Sequence, residues 1–189
     1  PLYSSAASDV YKRQPIVSAV ESQINLPQNF VPCHPISGSE KSGPEAAQVD
    51  LFEDCMVVLT PTQNTSTDAL NLVAQCWQGL GAKISKLSPQ EHDSALALTS
   101  HLPHLLAFAF MQQVESKHLP LTGGGFRDFT RIAGANPELW WRIFQLNKDE
   151  VLTALDAFSA DLQSLAQNIR DADSESGIAQ ISAAARKRQ

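Results

Sequence analysis

The run Cys55-Met56-Val57-Val58-Leu59-Thr60 is apolar and β-prone and is stopped by Pro61, so it reads as a buried strand. It divides the chain into two unlike parts. Ahead of it the pattern is short and alternating. Ile16–Ile24 suits a helix, Phe30-Val31-Pro32-Cys33 suits a short strand ending at His34-Pro35, and Ser37–Gly43 is a Gly/Ser-rich loop. Beyond Pro61 almost every signal is helical. Thr67–Leu80 is amphipathic and closes at Gly81. Ser88-Pro89-Gln90-Glu91 is a capping box with proline at the first helical position. Pro103 lies inside the helix that follows and predicts a kink, because it lacks a backbone donor and crowds the preceding turn. Asn136-Pro137 and Asn147-x-x-Glu150 cap two further helices. The second of these carries Leu152, Leu155, Phe158, Leu162, Leu165 and Ile169 as an apolar stripe. Lys83–Leu87 suits one more strand, and no internal repeat is visible. The expected architecture is an α/β segment over residues 15–60, with too few strands to close a sheet, followed by an all-α domain over residues 61–189.

Composition narrows the classes. Of the 189 residues, 43% are apolar and 18% charged, values that permit a packed core and exclude a charged disordered tail. A net charge of -6 weighs against nucleic acid as a partner. No uncharged apolar run reaches the roughly 18 residues of a membrane span. The densest stretch, Leu102–Met111, contains a histidine and a proline. Cys33, Cys55 and Cys76 form no C-x-x-C pair, which fits a reducing cytoplasm better than a disulfide framework. Residues 1–14 (PLYSSAASDVYKRQ) carry no long apolar core of a secretory signal. They resemble translated adapter read-through and are expected to be non-native. The basic end, Ala183–Gln189, reads as a fraying helix terminus.

Four places carry residues suited to chemistry. His34 follows a strand and is braced by Pro35, a position that suits proton transfer near neutral pH and equally suits a loop histidine without a role. His101 and His104 share a helix face, with Ser100 beside them. The spacing fits a polar seam between helices better than a metal pair, for which no third ligand is evident. Gly123-Gly124-Gly125-Phe126-Arg127-Asp128-Phe129-Thr130-Arg131 places two arginines four residues apart. An anion site and a salt-bridged helix start are both compatible with it. Trp140-Trp141 suits packing, with one edge at a pocket or interface. No G-x-G-x-x-G is present, so any dinucleotide loop would precede Pro15.

In order and spacing, several segments resemble the prephenate/arogenate dehydrogenase family of tyrosine biosynthesis. They are His34-Pro35-Ile36-Ser37-Gly38-Ser39-Glu40-Lys41-Ser42-Gly43, Leu59-Thr60-Pro61, Gln90-Glu91-His92-Asp93 and Ser100-His101-Leu102-Pro103-His104. Gly124–Ala133 and Pro137-x-Leu139-Trp140 before Asn147 complete the set. The resemblance covers roughly residues 15–170. It implies a Rossmann-type NAD(P)-binding domain, here a remnant, followed by a helical dimerisation domain, and hence a cytoplasmic homodimer. It also implies oxidative decarboxylation of a cyclohexadienol, prephenate or arogenate, with NAD or NADP as cofactor and no metal. By the same resemblance His34 is the base and Arg131 holds a substrate carboxylate, with Arg127 as a second cation. Glu40 and Asp128 orient the arginines, Ser39, Ser100, His104 and Gly124 line the pocket, and Trp140 closes it. His101 ranks below His104. The cofactor-binding residues are expected upstream of Pro15, and the chain alone is expected to be inactive. The competing readings are a non-enzymatic helical dimerisation module and a metal-dependent hydrolase built on His101 and His104.

Overall fold

The computed structural model describes residues 17–20, 22–23, 27–37 and 50–188. Among these residues the sheet has three strands in sequential order: β1 (Cys33–Ile36), β2 (Met56–Leu59) and β3 (Lys83–Lys86). β1 runs antiparallel to β2, with His34 opposite Val58 and Pro35 opposite Val57. The strand therefore starts later than the sequence suggests and contains His34 and Pro35 instead of ending at them. Proline is tolerated because β1 is an edge strand among the described residues. The pairing is extended from before the strand, where Thr60 donates its N–H to the Pro32 carbonyl at 2.9 Å.

β2 and β3 are parallel, Val57 lying opposite Ile84. A parallel pair needs a crossover, supplied by α1 (Thr67–Gly79). Ser66 caps α1 through Ala69 N–H. Its apolar side, Leu70, Val73, Ala74 and Trp77, covers the fully buried Val57 and Leu59. Gly81 ends the crossover at φ +82, a conformation that favours glycine, and a Cβ there would crowd the Glu53 backbone at 3.3 Å. Because β3 completes this sheet, the division drawn at residue 60 moves to the β3–α2 junction. Residues 61–86 belong with the strands.

The helical part opens at α2 (Pro89–Leu96), where the capping box forms as expected. The Ser88 hydroxyl accepts from Glu91 N–H, while the Glu91 carboxylate accepts from Ser88 N–H at 2.8 Å. α2 continues without a break into a π-turn, Ala97–His101, and then α3 (Leu102–Met111). The π-turn is the response to Pro103. Leu102 N–H reaches back five residues to the Ala97 carbonyl, and the proline follows directly, at the second position of α3. α4 (Gly124–Thr130) passes into a 3-10 turn, Arg131–Gly134. α5 (Pro137–Leu146) is capped by Asn136, which accepts from Leu139 N–H at 3.0 Å.

α6 (Lys148–Arg170) and α7 (Ser174–Arg188) complete the chain. Arg186, Lys187 and Arg188 form the last helical turn of α7, where positive charge opposes the helix dipole. The core of this part is Ala97 and Leu102 against Val151 and Ala154, flanked by Leu105, Leu106, Phe144 and Leu155. The stripe predicted along α6 is thus only partly used. Leu155 packs inward, while Leu162 and Ile169 stay 55% and 79% exposed.

Asn147 departs from its expected capping role. It makes no side-chain cap to α6. Fully buried, it sends its amide instead to the Asp93 carbonyl at 2.8 Å and to His101 Nδ1 at 3.1 Å.

Candidate active site

His34 is 7% exposed and sits on β1 facing the helical part. Its Nδ1 lies 2.9 Å from Nε2 of His92, on the second turn of α2. His92 Nδ1 in turn lies 2.9 Å from Asp93 Oδ1. His92 and Asp93 are each 1% exposed. This buried row joins the strand to the helix and places an imidazole of the sheet against an imidazole and a carboxylate of the helical part. The family motif Gln90-Glu91-His92-Asp93 marked the segment, yet sequence reasoning gave His92 and Asp93 no role. Their signal was the adjacency of a histidine and an aspartate directly after the Ser88–Glu91 capping box.

The same helical rod carries the next members. The π-turn holds Ser100 and His101, and α3 holds His104. His104 Nδ1 donates to the Ser100 carbonyl at 2.9 Å, because a carbonyl only accepts. The lone pair of neutral His104 is therefore on Nε2. Its ring stacks on Trp140 of α5, with centroids 3.5 Å apart and planes 16° apart. Burial pushes His104 below the ordinary histidine range, partly opposed by the Ser100 hydrogen bond. Trp140 is 7% exposed and Trp141 64%, so the first is a packed wall and the second faces outward. His101 turns the other way, toward Asn147 and the edge of Trp140, and is pushed down to about 4 chiefly by burial. Its Nε2 and the Asn147 Oδ1 are buried without a hydrogen-bond partner.

α4 and the 3-10 turn pack on α3 and so bring the arginine-bearing segment to the helix of His104. The helix begins at Gly124, and Arg131 lies past its end in the 3-10 turn. Gly124, Arg127, Asp128 and Arg131 are all exposed. Arg127 Nη1 donates to the Thr122 carbonyl at 3.4 Å, which holds it beside its own loop. Ser39 and Glu40 lie outside the described residues. His34, Ser100, His104, Trp140 and Arg131 thus fall on elements packed in sequence around one helical rod. Among the described residues, no group of three or more His, Cys, Asp or Glu side chains is placed to hold a metal ion.

The chain matches known proteins over most of its length. Residues 10–86 match the family described as prephenate dehydrogenase, nucleotide-binding domain. Residues 88–182 match prephenate dehydrogenase, dimerization domain. The chain belongs to the prephenate dehydrogenase family. It is 39% identical over 168 residues to cyclohexadienyl dehydrogenase of Zymomonas mobilis, covering 84% of this chain and 57% of that one. It is 34% identical to prephenate dehydrogenase of Bacillus subtilis, covering 86% of this chain and 46% of that one. The chain therefore spans about half the length of these relatives. Among solved structures, prephenate dehydrogenase from A. aeolicus in complex with hydroxyphenyl propionate and NAD+ superposes with a TM-score of 0.84 at 35% identity. That match covers 95% of this chain and 64% of that one. Synechocystis arogenate dehydrogenase superposes with a TM-score of 0.77 at 28% identity, covering 85% and 60%. The changeover between the two matched domains, at residues 86–88, coincides with the junction of β3 and α2. The fold of this prephenate dehydrogenase family member is thus a nucleotide-binding segment followed by an all-helical domain.

Proposed function

We propose that this chain is the substrate-binding part of an NAD(P)-dependent cyclohexadienyl dehydrogenase, acting on prephenate or arogenate in the cytoplasm. The observation that carries the reading is the buried hydrogen bond from His34 to His92, which fixes a basic imidazole where the sheet meets the helical domain. Bound nicotinamide supplies the acceptor for the hydride that leaves ring C4 of the substrate. Thr60 suits the cofactor side. It follows the carboxyl end of β2, where open α/β folds hold their ligands, and its buried Oγ1 has no hydrogen-bond partner.

The chain's own residues would do the rest. His34 takes the proton of the 4-hydroxyl as the C4–H bond breaks. The C–C bond to the ring carboxylate breaks next, releasing carbon dioxide, and its electron pair makes the ring aromatic. His34 returns the proton to the ring oxygen, so it ends the cycle as it began. Arg131 grips a substrate carboxylate, with Arg127 as a second cation. Asp128 and Glu40 orient these arginines, and Ser39, Ser100 and Gly124 line the pocket. His104 and Trp140 form its wall. The test is direct: a form with a complete nucleotide-binding half should release carbon dioxide and reduced nicotinamide in equal amounts from prephenate or arogenate. Absence of both products with either substrate would end the reading.

Arg131 gives a sharper measure. Charge-assisted hydrogen bonds contribute about 1.5–3 kcal/mol. Arg131→Ala should therefore raise KM by roughly 10- to 150-fold, at about 1.4 kcal/mol per decade. Arg131→Lys should recover only part, since an ammonium lacks the planar fork. An unchanged KM, with a lowered melting temperature, would make Arg131 a structural residue instead.

A homodimer is part of the same proposal. Leu162 and Ile169 on α6 and Ile178 and Ile181 on α7 are 55% to 79% exposed in the single chain. The matched domain is described as a dimerization domain. Each apolar side chain removed from water contributes about 1.5–3 kcal/mol. The double change Leu162→Lys with Ile169→Lys should weaken association at least about 100-fold, read by sedimentation equilibrium. A wild-type chain that stays monomeric at micromolar concentration would refute the dimer.

Pro89–Met111 is long and apolar enough to cross a membrane by length and composition. We read it as a domain helix, because His92, Asp93 and His101 on it are buried and hydrogen-bonded within the protein.

A further inference from the structure

We propose that His92 and Asp93 are positioning residues that fix the tautomer of His34, keeping its lone pair on Nε2. The proposal rests on the reading of His34 as the proton acceptor, and it is carried by the direction of two buried hydrogen bonds. A carboxylate only accepts, so at 2.9 Å the His92 Nδ1 must carry hydrogen and donate to Asp93 Oδ1. A neutral imidazole with hydrogen on Nδ1 has its lone pair on Nε2. That nitrogen lies 2.9 Å from His34 Nδ1 and must accept from it. His34 therefore carries hydrogen on Nδ1 and the lone pair on Nε2.

The row is closed to competing solvent: His34, His92 and Asp93 are 7%, 1% and 1% exposed. His92 and Asp93 are also held in place from behind. Asp93 and His92 sit in the second turn of a helix whose start is locked by the Ser88–Glu91 capping box. The Asp93 carbonyl accepts from Asn147, at the junction of α5 and α6. Three helices thus converge on the residue that orients the imidazole. The arrangement also suits the charge that develops. When His34 takes a proton on Nε2, its Nδ1–H still points at the lone pair of His92, and the Asp93 carboxylate lies one ring further along. The row is the logic of an orienting carboxylate acting on a catalytic histidine, with a second imidazole inserted between them.

Asp93→Asn should reverse the row. An amide can donate to His92 Nδ1, which moves the His92 hydrogen to Nε2. His92 then donates to His34 Nδ1, and the His34 hydrogen moves to Nε2, where the lone pair is needed. His92→Gln should preserve the His34 tautomer, since an amide oxygen can accept from His34 Nδ1. His92→Leu cannot.

Two measurements test this. The first is ¹⁵N nuclear magnetic resonance of the histidine ring nitrogens in the 189-residue chain. Neutral His34 should carry its hydrogen on Nδ1 in the wild type and on Nε2 in Asp93→Asn. Hydrogen on Nε2 in the wild type, as a doubly protonated His92 would impose, overturns the proposal. The second is turnover in a form with a complete nucleotide-binding half. Asp93→Asn and His92→Leu should lower kcat at least about 100-fold, within the range of a lost general base, with substrate dissociation constants little changed. His92→Gln should recover most of that loss. A purely structural role predicts lowered melting temperatures with no separation between glutamine and leucine at residue 92. His34→Asn is assayed beside them. If it keeps turnover, the reading of His34 as base is what fails. If it loses turnover while Asp93→Asn and His92→Leu retain theirs, the base stands and the positioning role is overturned.

Discussion

His34→Asn should lower kcat by roughly 10²–10⁴-fold, the usual worth of a positioned general base, with much smaller change in substrate binding. Asparagine is the informative replacement. Its amide nitrogen can take the place of Nδ1 and donate to His92 Nε2, so the 2.9 Å hydrogen bond that ties β1 to α2 has a substitute. What is lost is the nitrogen on the far side of the ring, which carries the lone pair. Stability should therefore change little, and the loss should appear in the chemical step. The measurement is kcat and KM together with a melting curve, in a form with a complete nucleotide-binding half. Near-normal turnover in a folded variant would remove His34 from the mechanism. A collapse of folding would point instead to His34 as a buried strut between the two parts of the chain.

The elements set by neighbouring residues were legible in the sequence, and those set by distant partners were not. The start of α2 is a local event: Ser88 and Glu91 satisfy each other's backbone donors within one turn, and the motif alone predicts it. The site of Pro103 was equally plain, although its effect is a π-turn and a shifted register. β3 was visible as a short strand-like stretch after Gly81, but its place in the sheet depends on β2, across the whole of α1. Asn147 looked like a cap because its position before an acidic turn suits one. Its amide goes to residues 54 and 46 positions away, and no local pattern encodes that choice. The site follows the same division. His34, His104, Trp140 and Arg131 were picked out one by one from residue type and family resemblance. The row through His92 and Asp93 exists only because a strand and a helix meet, so pairing His34 with a residue 58 positions later required the fold. The exposed apolar side chains of α6 are the converse case. Periodicity reveals a stripe but not which part of it faces the chain's own core, and here Val151 and Ala154 beside the stripe carry much of that packing.

His101 should make stability depend on pH between about 6.5 and 4. Burial is the main cause of its low value, with the neighbouring His92 and His104 acting in the same direction and Asp93 opposing them. The folded protein holds this imidazole neutral down to about pH 4, whereas the unfolded chain protonates it near the ordinary value of 6.5. Between those two values the unfolded state binds more protons, so stability falls as pH falls. Above 6.5 both states are neutral at this residue and its contribution is constant. By pH 4 the loss approaches the order of 3 kcal/mol, at about 1.4 kcal/mol per pH unit. Such a change is large against the typical total of about 5–15 kcal/mol for a domain. His104 is displaced in the same direction and adds to the trend, so the comparison that isolates His101 is a variant. His101→Asn removes the titrating ring but retains an oxygen that can accept from the Asn147 amide, in place of the 3.1 Å contact to Nδ1. Urea denaturation of both proteins across this range should give stabilities that run close at pH 7 and separate by pH 4, the wild type falling below the variant because the variant lacks this titration. Parallel curves would mean that His101 titrates alike in the folded and unfolded chains, and that the buried pocket formed with Asn147 and Trp140 is open to water.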